Sequence, residues 1–176
     1  MQLKLIPHPA TPPHGVIAVE ADVVADPGEG ILITYSVIGG AVVWPDLKSP
    51  AREDGLWWTT CFELFLKPVG ASAYFEYNFS PSTAWAVYRF EAYRDGRRDF
   101  HPCLDPYLVN LAPAGLFEVA CDLSELPAGP LRMGVSAVIE EPGGHKSYWA
   151  LAHPPGDPDF HHPSCFTLEL PPAGPS

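Results

Sequence analysis

Apolar and polar residues alternate with a two-residue period along much of this chain, which is the period of strands that bury one face. In residues 61–66, Phe62, Leu64 and Leu66 form an apolar face, and Glu63 lies on the opposite face. Ten segments show this alternation or a short apolar run: residues 17–23, 31–38, 41–44, 61–66, 74–79, 85–93, 117–123, 131–140, 146–151 and 166–170. The residues expected between two sheets include Phe62, Leu64, Leu66, Val119, Cys121, Val135 and Ala137.

Proline and glycine decide how these segments are connected. The 176 residues include 22 prolines and 15 glycines, a density that leaves no room for a long helix but suits short strands joined by turns. We therefore predict an all-β, two-layer antiparallel β-sandwich of jelly-roll or immunoglobulin-like type, with roughly ten strands and little or no helix. A single helical turn is expected at residues 122–126, and long loops at 48–55 and 94–106.

The chain has no internal repeat, no flexible linker and no shift in composition. One domain over residues 1–176 is the simplest interpretation, with residues 1–15 and 171–176 as extended tails. No leader-like or membrane-spanning apolar run is found, so a cytoplasmic protein is expected. The formal net charge of −11 disfavours nucleic acid and anionic membranes as partners.

Four cysteines, at positions 61, 103, 121 and 165, are too far apart in sequence for a CxxC metal motif. A chain of this length does not need disulfides to fold. We expect four free thiols.

Aromatic residues surround a few polar ones in the middle of the chain. Trp57 and Trp58 precede the strand that carries Glu63, the next strand carries Asn78, and the third carries Arg89. Aromatic rings can cover the C–H faces of a sugar while carboxylate, amide and guanidinium groups bind its hydroxyls. If the three strands are neighbours, the three polar side chains are expected to form one concave patch. The alternatives are ordinary core aromatics and a structural pairing of Glu63 with Arg89.

This order of motifs resembles the DOMON-like ligand-binding sandwiches, in particular those related to family-9 carbohydrate-binding modules. The resemblance runs from about residue 16 to 170 and rests on four matching parts: residues 57–58 followed by 61–66, residues 77–81, residues 85–88, and residues 148–151 with 159–163. It implies a sugar end clamped between two tryptophans. Trp57 or Trp58 would be the first clamp, Glu63 the acid, Asn78 and Arg89 the hydroxyl-binding groups, and Trp149 the second clamp.

Other functions were weighed against this one. His153, Asp157, Asp159, His161 and His162 are candidate ligands of a divalent metal, although their spacing matches no known metal motif. A haem-binding module is a second alternative, because several DOMON relatives bind haem through Met and His. Met133 would be the methionine, but it lies on the apolar phase of its strand.

Two further alternatives are a sugar-acting enzyme that uses Glu63 with Glu76, and a domain that docks another protein. Common enzyme motifs are absent from the sequence. The prediction is a non-catalytic module, without a cofactor, for a small carbohydrate-like ligand. The ligand's identity, any protein partner and the choice between Trp57 and Trp58 stay open.

Overall fold

The structure is a computed structural model that describes residues 1–26 and 30–171. Within them, nearly all regular structure is extended, as the sequence predicts. The strands are β1 (Gln2–Pro7), β2 (Ala18–Asp26), β3 (Gly30–Ile38), β4 (Ala51–Arg52), β5 (Cys61–Pro68), β6 (Tyr74–Phe79), β7 (Ala84–Phe90), β8 (Arg98–Asp99), β9 (Tyr107–Leu111), β10 (Leu116–Asp122), β11 (Leu131–Glu141), β12 (His145–Ala150) and β13 (Leu168–Leu170). Three single 3₁₀ turns lie at Leu56–Trp58, Ala112–Ala114 and Pro163–Cys165.

The strands form two layers that are joined at β1. One layer has the order β1-β2-β3-β10-β9, and the other has the order β4-β7-β6-β5-β11-β12-β1, with β8 beside β7 and β13 beside β11. Neighbouring strands are antiparallel, except that β4 runs parallel to β7 over two residues. We call the first layer the front sheet and the second the back sheet.

Aromatic rings from the two sheets meet in the core. The ring centroid of Phe62 on the back sheet lies 4.5 Å from that of Tyr35 and 5.1 Å from that of Phe117, both on the front sheet. All seven residues expected between the sheets belong to this buried cluster, so the predicted sandwich is confirmed.

Strand β1 belongs to both sheets. Residues 2–5 pair with β2, whereas Ile6 and Pro7 pair with Ala150 and Trp149 of β12. The expectation of a free extended tail is therefore wrong for Gln2–Pro7. The prolines and histidines of residues 7–14 made this segment look like a loop. The preceding residues alternate, however, with Leu5 buried and its neighbours Lys4 and Ile6 exposed. The tail expected at residues 171–176 lies, from residue 172 onward, outside the described residues.

Residues 41–44 do not form the strand that their apolar run predicts. The backbone of Val43 makes two isolated hydrogen bonds instead. Its N–H donates to the backbone carbonyl of Glu140, and its carbonyl accepts from the Thr60 hydroxyl. Pro45 cannot donate, so no ladder continues. The turn expected at residues 122–126 is reduced to one bond, from Leu126 N–H to the carbonyl of Leu123.

The four cysteines are free thiols, as predicted, and Cys103 alone is exposed. None of the helical turns among the described residues has the length or apolar character needed to cross a membrane.

The outer face of the back sheet is also covered. A second apolar cluster lies there, formed by outward-facing residues of β5, β6, β7, β11 and β12 together with Leu56, Phe160 and Phe166 from the segments that cross over them. A sheet face with its own apolar cover can hold a pocket between strand and loop, and one is found there.

Candidate functional site

A pocket of about 440 Å³ opens on the outer face of the back sheet. This volume falls within the range of about 300–1,000 Å³ that is usual for small-molecule sites. Strands β5, β6, β7, β11 and β12 form the floor, and three loop segments form the walls. The lining residues are Trp57, Trp58, Glu63, Glu76, Phe90, Arg94, Arg97, Val138, Tyr148, Pro158, Phe160 and His161.

The floor carries two acidic residues and one amide because of strand alternation. In the register of β5 with β6, Glu63 lies opposite Asn78 and Phe65 lies opposite Glu76. Since Phe62 and Leu64 point into the core, the intervening Glu63 must point outward. Glu63 and Glu76 are only 4% and 6% exposed, and Asn78 is fully buried beneath them.

The carboxyl group of Glu63 has one hydrogen-bonding partner among the described residues. Ser136 lies opposite Glu63 on the neighbouring strand β11, and its hydroxyl donates to Oε2 at 3.2 Å. Burial raises the pKa of Glu63 well above its usual value, and the charge of Glu76 raises it further. The bond from Ser136 and the charge of Arg94 act in the opposite direction.

Glu76 is held by its neighbour two positions along the strand. Nδ2 of Asn78 donates to Oε1 of Glu76 at 2.7 Å. Burial raises the pKa of Glu76, against the opposing effects of Asn78, Arg97 and Arg94. Its other oxygen, Oε2, lies 3.7 Å from Nε2 of His161.

The tautomer of His161 follows from its contacts. The backbone N–H of Arg94 donates to the Tyr74 hydroxyl at 3.2 Å, and that hydroxyl lies 2.8 Å from Nδ1 of His161. A hydroxyl that already accepts one bond is best placed to donate its own hydrogen to Nδ1, which leaves the imidazole hydrogen on Nε2, facing Glu76. Burial, followed by the charge of Arg94, lowers the pKa of His161 to about 4, so the ring is neutral near neutral pH.

Two arginines rise beside the pocket from the loop after β7. Nε and Nη2 of Arg94 donate to Oδ1 of Asp159, at 3.1 and 2.7 Å, and the Tyr93 hydroxyl donates to Oδ2 of the same carboxylate. The guanidinium of Arg97 lies 5.0 Å from the centroid of the Tyr88 ring, in cation–π range. Arg94 is thus tied to a carboxylate, and Arg97 rests on an aromatic face.

The mouth is built around a 3₁₀ turn. Gly55 precedes the turn with a φ of 73°, in the left-handed region that favours glycine, and a Cβ there would lie 3.1 Å from the Trp58 ring. Trp58 is 72% exposed, whereas Trp57 is partly buried with its ring centroid 6.2 Å from that of Tyr88. A large apolar ring left in water at a pocket mouth is available to a ligand.

Comparison with solved structures identifies the fold. A candidate carbohydrate-binding protein from Bacteroides uniformis superposes with a TM-score of 0.64 at 16% identity, covering 94% of this chain and 83% of that one. Two structures of a family-9 carbohydrate-binding module from Caldicellulosiruptor kristjanssonii also match. The glucose complex has a TM-score of 0.50 at 15% identity, and the cellotriose complex has 0.52 at 14%. Each covers 90% of this chain, and 78% and 76% of the respective module.

This chain has the fold of a family-9 carbohydrate-binding module. At these identities the likeness concerns the fold alone. No protein-family model and no curated protein matches the sequence. Descent from the DOMON-like group stays a prediction.

In this family-9 fold, four of the six predicted ligand-binding residues lie at or beneath one pocket. Trp57 and Trp58 are at its mouth, Glu63 is in its floor, and Asn78 supports Glu76 from below. Arg89 does not join them. It pairs in register with Phe75 and lies on the inward phase with Trp85 and Val87, so the expected patch of Glu63, Asn78 and Arg89 does not form. Arg89 bonds Glu91, not Glu63.

Trp149 is also on the wrong face for a clamp. It is buried in the core between the sheets, and its indole N–H donates to the Ser147 hydroxyl at 2.9 Å. Its neighbour Tyr148 takes the outward position and lines the pocket. The same alternation that sends Glu63 outward thus sends Trp149 inward and Tyr148 outward.

The metal candidates are dispersed. Asp159 binds Arg94, His161 faces Glu76, His162 accepts from the backbone of Ser164, and His153 contacts the carbonyl of Ile6. No cluster of three or more His, Cys, Asp or Glu residues suited to a metal is found in the described part of the chain. Met133, the candidate haem ligand, is fully buried in the core.

Proposed function

We propose that this chain is a non-catalytic carbohydrate-binding module and that its ligand occupies the pocket on the back sheet. The observation that carries the proposal is the combination of a mostly exposed tryptophan at the mouth with two buried acidic side chains in the floor. A sugar ring has the matching surface, with apolar C–H faces and a polar rim. The solved structures with this fold, described as carbohydrate-binding, support the assignment.

Each wall has a role in this proposal. The ring of Trp58 stacks on one face of the sugar, and Phe160 and Tyr148, whose ring centroids lie 6.0 Å apart, bound the pocket on another side. The carboxyl groups of Glu63 and Glu76 bind hydroxyls from below. Arg94 is held in one orientation by Asp159, which lowers the entropy cost of using it in recognition.

The paired acids bear on the alternative of a sugar-acting enzyme. Glycoside hydrolysis by two carboxyls needs one protonated acid and one ionised carboxylate. Burial raises the pKa of both Glu63 and Glu76, and among the described residues neither Arg94 nor Arg97 forms an ion pair that would keep one of the two acids ionised. We therefore assign the pair to recognition. Release of reducing sugar from oligosaccharides by the purified protein would contradict this assignment.

Titration calorimetry with glucose and cellotriose tests the binding proposal, with Trp58→Ala as the decisive variant. We expect the variant to lose about 1–2 kcal/mol of binding free energy, which is about five- to thirtyfold in Kd, because it removes the stacking surface. Its thermal stability should stay close to that of the parent, since the side chain is exposed.

The matched control is Tyr107→Ala. Tyr107 is a similarly exposed aromatic residue, 69% accessible, but it lies on β9 in the front sheet. It should leave sugar binding unchanged. Equal losses in the two variants would argue against the pocket as the binding site.

A further inference from the structure

The floor of the pocket holds two acidic side chains without a cationic partner. Among the described residues, no lysine or arginine forms an ion pair with Glu63 or Glu76. The nearest basic group is His161, 3.7 Å from Glu76, and that ring is neutral near neutral pH. Buried carboxylates are ordinarily paired, because an unpaired buried charge is costly.

The available arginines are committed elsewhere. Arg94 gives two of its nitrogens to Asp159, and Arg97 lies over the Tyr88 ring. Both remain at the walls, while the acids lie in the floor. Their charges act on the acids from the walls, but among the described residues neither arginine forms an ion pair with Glu63 or Glu76. The position between the two carboxyl groups is therefore open to a cation from outside the protein.

The acceptor geometry suits an ammonium group. Glu63 uses Oε2 for Ser136, and among the described residues its Oε1 accepts no hydrogen bond. Glu76 uses Oε1 for Asn78, and its Oε2 has only the longer approach of His161. Two free acceptor oxygens on neighbouring strands, below an aromatic mouth, match a group with three N–H donors on a ring.

We infer that the pocket takes an amino sugar, with its protonated amine bound between the carboxyl groups of Glu63 and Glu76. This inference rests on the proposed carbohydrate-binding function and narrows it to a cationic ligand. A neutral sugar does nothing to offset the effect of burial, which raises the pKa of both acids. A protonated amine favours their ionised form and gives it charge-assisted hydrogen bonds.

The test is a calorimetric titration of one protein preparation, near neutral pH, with four compounds. Glucosamine carries the charge and the hydroxyls, glucose and N-acetylglucosamine carry the hydroxyls without the charge, and cyclohexylamine carries the charge without the hydroxyls. We expect glucosamine to bind about tenfold or more tightly than either neutral sugar, and more tightly than cyclohexylamine.

The outcomes separate the two proposals. Glucose or N-acetylglucosamine binding as tightly as glucosamine would overturn the amino-sugar inference and leave the carbohydrate-binding proposal standing. Cyclohexylamine binding as tightly as glucosamine, with neither neutral sugar bound, would overturn the carbohydrate proposal itself. Absence of glucosamine binding overturns the inference directly.

Charge-removing variants test which groups are responsible. Glu63→Gln and Glu76→Gln each keep the shape of the side chain, and each should reduce the preference for glucosamine over glucose towards parity. Glu20→Gln, on the exposed outer face of the front sheet, is the matched control and should keep the preference. Circular dichroism verifies the fold, and if one floor variant fails to fold, the other still decides. A preference that survives both floor variants would contradict the inference.

Discussion

At the scale of single residues, the pocket holds two kinds of group that weaken folding in different pH ranges, the two acids when they ionise and the imidazole of His161 when it takes up a proton. Burial raises the pKa of Glu63 and Glu76, so their contribution to stability is present at acid pH and is lost as pH rises through their folded pKa values. Burial lowers the pKa of His161 from 6.5 to about 4. Its contribution is therefore present above pH 6.5 and is lost as pH falls towards 4.

His161→Gln should make the protein less sensitive to acid. In the parent, the unfolded state takes up a proton on this imidazole before the folded state does, which costs up to about 3 kcal/mol of unfolding free energy. The neutral variant cannot take up that proton. Urea unfolding at a series of pH values between 6.5 and 4 should therefore show a smaller loss of stability than in the parent.

His101→Gln provides the comparison, because His101 is exposed on a loop outside the pocket. Its stability profile should overlay that of the parent. If His161→Gln also overlays the parent, the imidazole is protonated in the folded protein, and the tautomer derived for it is wrong.

At the scale of elements, β1 contributes more than its length suggests, because it is hydrogen-bonded to both sheets. We predict that Leu5→Ala lowers the unfolding free energy by about 2–5 kcal/mol, the usual cost of truncating a buried leucine. Leu5 is 1% exposed and belongs to the core, whereas the adjacent Ile6 is 54% exposed.

Ile6→Ala is the control on the same strand, and it should change stability by only about 0.5 kcal/mol. Chemical denaturation of both variants measures the difference. Similar small losses in the two would show that β1 does not secure the sandwich.

Strand alternation explains both what the sequence predicts and what it misses. The outward orientation of Glu63 and Asn78 follows from the period of two alone, and so does the core of Phe62 and Leu64. The prediction that Arg89 shares a patch with Glu63 and Asn78 was wrong. Alternation shows which residues of one strand share a face, but the register between strands decides which faces of neighbouring strands coincide. Phe75 lies opposite Arg89, which places that arginine on the inner face.

The loop residues of the site could not be located in this way. Arg94, Arg97, Phe160 and His161 come from segments without periodicity, and tertiary contacts position them. The sequence offered two signals: the long loop expected at residues 94–106, which does supply both arginines, and the C-terminal segment 159–163 of the family resemblance, which contains Phe160 and His161. The outward orientation of Tyr148 could have been predicted from the sequence, because Tyr148 alternates with the inward-facing Trp149.

At the scale of the whole molecule, one buried cluster contains residues of both sheets, from Leu5 near the start to Leu170 near the end. The back sheet has a second apolar cluster on its outer face, but the inner faces of both sheets are buried only against each other, so loss of either sheet would expose the main core. We therefore predict a single cooperative thermal transition whose calorimetric and van't Hoff enthalpies agree. Two separable transitions in differential scanning calorimetry would contradict both this prediction and the single-domain interpretation.

The shared strand has a consequence for how the chain is made. On the ribosome β1 emerges shortly before β2, but the partner of Ile6 is Ala150, which follows only when β12 has been synthesised. Until then the far end of β1 is an open edge, and open edges invite pairing with other chains. Contacts so distant in sequence are also slow to form, because the long intervening loop must close first. The nascent protein therefore depends on the synthesis of β12, or on a chaperone, to keep that edge from aggregating.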